Sequence, residues 1–239
     1  MFRSVLRAIF TGVPLLSLTI VQGQPMLEVN AGAFAWQMRF KQDDPHVDDL
    51  TTDPGLGHSF GLHYREEPPN RKIGFDVSLT YAYRECGVSI GSGGHATADL
   101  IYADLRMNTV HLGLGLNIPF DSVGTLWFRP RLMTGLAEWT IGSGYHEFLD
   151  QGQLVRQRFS ERHFDGYRSG VRLSIGIGLN IRFSGRLFLD IEPYYSRGLT
   201  VECDPGNANF RHDEWGLRIG TGVVLRGWRN LGQLPIPQD

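Results

Sequence analysis

Cysteine is nearly absent: Cys86 and Cys203 are the only two in 239 residues. That excludes a fold held together by a disulfide framework, and leaves either one bridge between the pair or two free thiols. Long hydrophobic runs are also missing. No stretch approaches twenty consecutive apolar residues, so no transmembrane helix is expected. Neither sign of charge dominates, with 23 Lys and Arg against 25 Asp and Glu and a net charge of −2. Nothing there calls for a nucleic-acid partner. Gly91-Ser92-Gly93-Gly94 has no following Lys-Ser/Thr and no strand-to-helix setting, so it reads as a loop tip rather than a phosphate loop. His46, His58, His95, His146, His163 and His212 fall in or beside expected loops without ligand spacing, and neither a metal nor a cofactor is expected. The carboxylates of Asp43-Asp44-Pro45-His46-Val47-Asp48-Asp49 read as a solvated acidic loop.

Glycine, by contrast, is plentiful at 30 residues, and aromatics make up 11%. The chain opens with Arg3 and Arg7, then an apolar stretch over 8–21 broken by Gly12 and Pro14, then Val21-Gln22-Gly23. This is the pattern of an export signal spanning 1–23, with the mature chain starting at Gln24. Fourteen residues are too few to span a bilayer. No cysteine follows the stretch, so no lipoprotein anchor is expected. Loss of the two arginines takes the charge from −2 to −4.

From Arg168 to Phe183 the chain alternates strictly. Val171, Leu173, Ile175, Ile177, Leu179, Ile181 and Phe183 are separated by Gly170, Arg172, Ser174, Gly176, Gly178, Asn180 and Arg182. Period two means a strand with two opposite faces. Soluble strands run to about five or six residues; a tilted strand crossing a bilayer needs about nine to eleven. Eight such runs are expected, at 27–40, 58–66, 72–84, 105–118, 125–141, 168–183, 186–201 and 214–228. Their connections alternate. Short ones fall at 68–71, 119–124 and 184–185, and long ones at 41–57, 85–104, 142–167 and 202–213. An up-and-down meander of this kind collects its short turns at one end and its long loops at the other.

Three features place the polar face inside. Asp76, Arg129, Arg131, Arg172, Arg182, Asp190, Glu192, Arg218 and Arg226 sit in mid-strand, where a charge facing lipid costs about 2–4 kcal/mol. Glycines share that face and make room opposite the arginines: Gly113, Gly115, Gly176, Gly178, Gly220 and Gly222. Aromatics gather near strand ends, as two interfacial girdles require: Trp36, Phe40, Tyr64, Tyr81, Tyr83, Phe128, Trp139, Phe183, Tyr195, Trp215 and Trp228. In the first strand the outward parity shifts from Leu27, Val29 and Ala31 to Phe34, Trp36 and Met38, which a bulge would explain.

These residues resemble the small eight-stranded outer-membrane β-barrel family, of the OmpA/OmpX/OmpW transmembrane type and the PorT-like barrels. The fold class expected is all-β, an eight-stranded antiparallel up-and-down transmembrane β-barrel over 24–228. Arg218, Gly220, Val223 and Leu225, with Trp228, resemble the C-terminal signal read by the barrel assembly machinery. Here a short tail, 229–239, follows the aromatic. The resemblance implies an outer-membrane location with periplasmic termini. Its partners would be outer-membrane lipid and lipopolysaccharide, the assembly machinery, and an extracellular or periplasmic protein.

The expected role is structural or surface-binding, through the long loops and above an ionically plugged lumen. Tyr145, His146, Glu147, Phe148, Arg156, Arg158, Phe159 and Arg162 mix aromatics with arginines in the third long loop, which has the length to continue as a hairpin above the membrane. Alternatives are a narrow channel for small solutes, a lipid-modifying enzyme of deacylase or acyltransferase type, and a secreted soluble barrel. For the enzyme, Thr109 and His111 share a face, with Asp76 as the acidic group, but no histidine–x–serine–asparagine run is present.

Overall fold

Period-two alternation produces paired strands along nearly the whole chain. The computed structural model describes residues 24–40, 50–67, 73–90, 100–120, 125–159, 162–163, 168–184, 186–200 and 210–225. The strands are β1 (Gln24–Phe40), β2 (Leu50–Thr52), β3 (Gly55–Glu67), β4 (Gly74–Ile90), β5 (Leu100–Pro119) and β6 (Leu126–Asp150). They continue with β7 (Gln153–Phe159), β8 (Arg162–His163), β9 (Arg168–Arg182), β10 (Leu187–Gly198) and β11 (Phe210–Val224).

Eight of these are staves of a closed antiparallel barrel, in the order β1-β3-β4-β5-β6-β9-β10-β11 and back to β1. β2, β7 and β8 are short additions at the long-loop end. A path of paired residues from Trp127 runs through Gly178 and on through Arg218, Gly32, Ser59, Ala82 and Thr109. It returns to β6 at Ala137, ten residues further on. That stagger is what closing eight tilted strands requires. Pro130 and Pro193 have no N–H to give, and the β5–β6 ladder skips between Gly115↔Arg131 and Ile118↔Phe128, beside Pro130. The β9–β10 ladder likewise skips between Ile191 and Tyr194, at Pro193.

The faces are inside-out relative to a soluble protein. Leu173, Ile175 and Ile177 are exposed at 38–48%, while Arg172, next to Leu173, is 1% exposed and Ser174, between Leu173 and Ile175, is 0% exposed. Along β10 the burial alternates without a break. β1 shows no bulge and no change of parity. Met26, Glu28, Asn30, Phe34, Trp36 and Met38 all point inward, and Leu27 and Val29 point out. What changes along β1 is the chemistry of its inner face, from polar to apolar. Trp36, expected in a girdle, is fully buried inside.

Three strands reach well past their expected long-loop ends. β4 and β5 stay paired up to Ile90↔Ile101, and β6 runs on to Asp150, where it turns back into β7. Gln151 and Gly152 both have positive φ, 50° and 81°, the two-residue turn that matches strand twist.

Candidate functional site

The lumen is the one place where the sequence concentrates charge in a buried setting, and the staves arrange that charge in two tiers. In the tier nearer the short turns, four arginines meet four carboxylates. Arg131 donates to Asp76 Oδ1 at 2.8 Å and to both oxygens of Glu192 at 2.5 and 2.8 Å. Arg129 clamps Asp190 at 2.5 and 2.9 Å, and its Nε reaches Asn117 at 3.1 Å. Arg65 bridges Glu28 at 2.7 Å, Asp76 at 3.2 Å and Asp190 at 3.2 Å. Arg218 reaches Glu192 at 3.0 Å and lies 3.6 Å from the centre of the Tyr194 ring. Forked guanidiniums suit this bidentate sharing better than lysine would.

The second tier turns on Glu214. It accepts from Arg84 Nε at 3.0 Å, Arg172 at 3.0 Å and the Tyr194 hydroxyl at 2.6 Å. Arg84 also donates to Thr109 at 2.6 Å, and Arg172 faces His111 at 3.4 Å. Every charged group of both tiers is nearly solvent-free.

Apolar side chains pack above and below the tiers. Toward the loops, Phe34, Trp36, Met38, Ala82, Cys86, Leu105, Met107, Ala137 and Tyr194 pack as one cluster inside the wall. The Trp36 indole donates to the Glu85 carbonyl at 3.1 Å, beside Leu56↔Glu85, the first β3–β4 pair. Toward the turns, Met26, Phe188 and Val224 pack together. A cavity of about 10 Å³, room for a single water, lies beside Arg65, Asn117, Trp127, Arg129, Asn180 and Arg182. Gly178 lets the Arg129 guanidinium lie against the wall; a Cβ there would fall on it.

Of the residues singled out in the sequence, Asp76, Arg129, Arg131, Arg172, Asp190, Glu192 and Arg218 lie in these tiers. Arg182 does not: it is exposed at the turn-end rim and lines the small cavity. Arg226, Trp228 and Cys203 lie outside the described residues, and Cys86 carries a free thiol. Glu28, Arg65, Arg84 and Glu214 are additional members. Strand parity carried the signal for each, since they share the inward register of Asn30, His63, Ala82 and Gly216.

Thr109, His111 and Asp76 do not form a relay. Thr109 and His111 are taken up by Arg84 and Arg172, while Asp76 belongs to the other tier. Asp76 instead lies 3.8 Å from His63, sealed in the lumen. Among the described residues no group of His, Cys, Asp and Glu could hold a metal.

Above the belt of outward apolar residues, the β6–β7 hairpin carries its own contacts. Tyr145 stacks on Tyr102 at 5.4 Å, the Arg156 guanidinium lies 4.1 Å from the Tyr145 ring, and Arg156 donates to Glu147.

No protein-family model matches the chain. No curated protein is similar to it. Several solved structures are. Ail of Yersinia pestis, crystallised with the heparin analogue sucrose octasulfate, is 15% identical over 83% of this chain and 99% of its own, with a TM-score of 0.39. Neisserial surface protein A is 13% identical over 83% and 97%, with a TM-score of 0.40. OprG of Pseudomonas aeruginosa is 12% identical over 86% and 97%, with a TM-score of 0.44. The eight-stranded barrel itself stands on this chain's own strand pairing.

Proposed function

We propose that this protein is an integral outer-membrane barrel that does not conduct and works through the structures raised above its long-loop end. The observation that carries this is the filled lumen: two tiers of paired ions with an apolar cluster packed above and below them. An eight-stranded barrel has just enough interior for side chains, and here they occupy it. The outward belt, with Val29 at 60% and Ile219 at 50% exposure, is stable only against hydrocarbon.

Under this reading the short turns and both termini face the periplasm, with 1–23 removed on export. The long loops meet lipopolysaccharide and an outside partner. Arg218, Gly220, Val223 and Leu225, with Trp228, serve as the signal for the assembly machinery. Planar-bilayer recording of the refolded protein tests it. A flat trace at all voltages is expected, and discrete openings would establish the solute-channel reading instead.

A further inference from the structure

We propose that the free edge of β7 takes an extended, acidic segment of a partner protein as an additional strand. β7 pairs with β6 on one side, and no described strand lies on its other side. An unpaired edge presents a row of N–H and C=O groups ready to template another chain. Proteins that avoid this keep edges short, bulged, charged or broken by proline; of these devices β7 carries only charge, and that charge bears on which partner fits. β7 is seven residues long, contains no proline, and pairs in unbroken register from Gly144↔Phe159 to Asp150↔Gln153.

The edge is also held in shape before any partner arrives. The Gln151–Gly152 turn fixes the hairpin tip. The Tyr102–Tyr145 stack, with Arg156 against Tyr145 and bonded to Glu147, ties its outward face to β5 and β6. Preorganisation of this kind lowers the ordering cost of association.

Charge selects the partner. Leu154, Arg156 and Arg158 alternate along the exposed face of β7. Glu147 accounts for Arg156, while among the described residues Arg158 is exposed and forms no ion pair. A strand laid beside β7 would place its side chains opposite these arginines, where carboxylates attract and cations repel. The same rule disfavours a second copy of this chain, because antiparallel self-pairing centred on the strand sets Arg156 against Arg156.

This inference rests on the reading that the long-loop end is an interaction surface, but its test does not need a membrane. The full-length protein, refolded in detergent, would be titrated with a labelled heptapeptide of alternating Glu and Val. Fluorescence anisotropy would read binding, and amide exchange would read protection of residues 153–159. Binding is expected to protect those amides, to weaken about tenfold for Arg158→Glu and for a backbone N-methylated peptide, and to fall with salt. An alternating Lys and Val peptide should not bind. Equal binding of the N-methylated peptide would mean a charge contact without strand addition and would overturn the proposal. So would a dimer joined through β7, or slow exchange along both edges of β7 before peptide is added. A flat bilayer trace beside absent peptide binding would sink the edge proposal alone.

Discussion

Glu214 and Glu85 each neutralise arginine, in opposite surroundings. Glu214 serves Arg84, Arg172 and Tyr194 in a dry lumen, whereas Glu85 meets Arg106 at 3.4 Å with both side chains some 40% exposed. Breaking a buried pair strands the remaining charge and costs about 3–5 kcal/mol, while an exposed pair contributes about 0–1 kcal/mol. Glu214→Gln is therefore expected to lower the urea midpoint of the refolded barrel steeply. Glu85→Gln should leave it within error in the same titration. Cys86 sits above the outward apolar belt, buried beside the apolar cluster, and burial first, then the charges of Asp53, Asp104 and Glu85, push its thiol up to about 12. A raised thiol pKa keeps the neutral form dominant at pH 8. In a Cys203→Ser background, iodoacetamide at pH 8 should label Cys86 only after unfolding; rapid labelling of the folded protein would show that the site is open. The inward arginines of β6 and β9 were legible in the sequence because they interrupt clean alternation. Trp36 was not, because an aromatic of either parity suits a barrel wall, and only the surrounding packing decides that it faces in.

At the scale of the strand, alternation located all eight staves, and β3, β5 and β9 end within two residues of the proline and Ser-Gly pairs expected to mark the short turns. Strand ends were less legible. Beyond the belt the outward positions include Glu85, Gly87, Ser89 and Asp104, so the outward apolar pattern stops there although the hydrogen-bonded ladder continues. β1 misled for a related reason: a polar inner face that becomes apolar looks in sequence like a change of register. The glycines of β9 carry a clear test. Gly178→Ala would press a methyl into the Arg129 guanidinium, which Asp190 and Glu192 hold in place. Overpacking of this sort costs about 1–3 kcal/mol. The substitution should lower the melting temperature of the refolded barrel, while Gly152→Ala at the distant hairpin tip should not disturb the lumen.

For the whole molecule, the barrel and the structure above it are separable. β6 pairs with β9 only from Leu126 to Ala137, and its upper part serves β5, β7 and β8. Replacing residues 143–160 by a short turn should leave a barrel that refolds and still shows heat-dependent mobility on gels, while abolishing binding of the acidic peptide. Failure to refold would make the hairpin part of the folding unit.

The pairing of β1 with β11, continuous from Met26↔Val224 to Phe40↔Phe210, joins the first and last described strands. The cylinder is thus fastened by its most distant neighbours, and contacts that far apart are slow to find. No leading portion has a finished shape of its own while synthesis continues. Under the proposed outer-membrane reading, a cell would carry such a chain across one membrane as a loose thread, shield its oily side chains from one another, and release it only when the last stave is at hand.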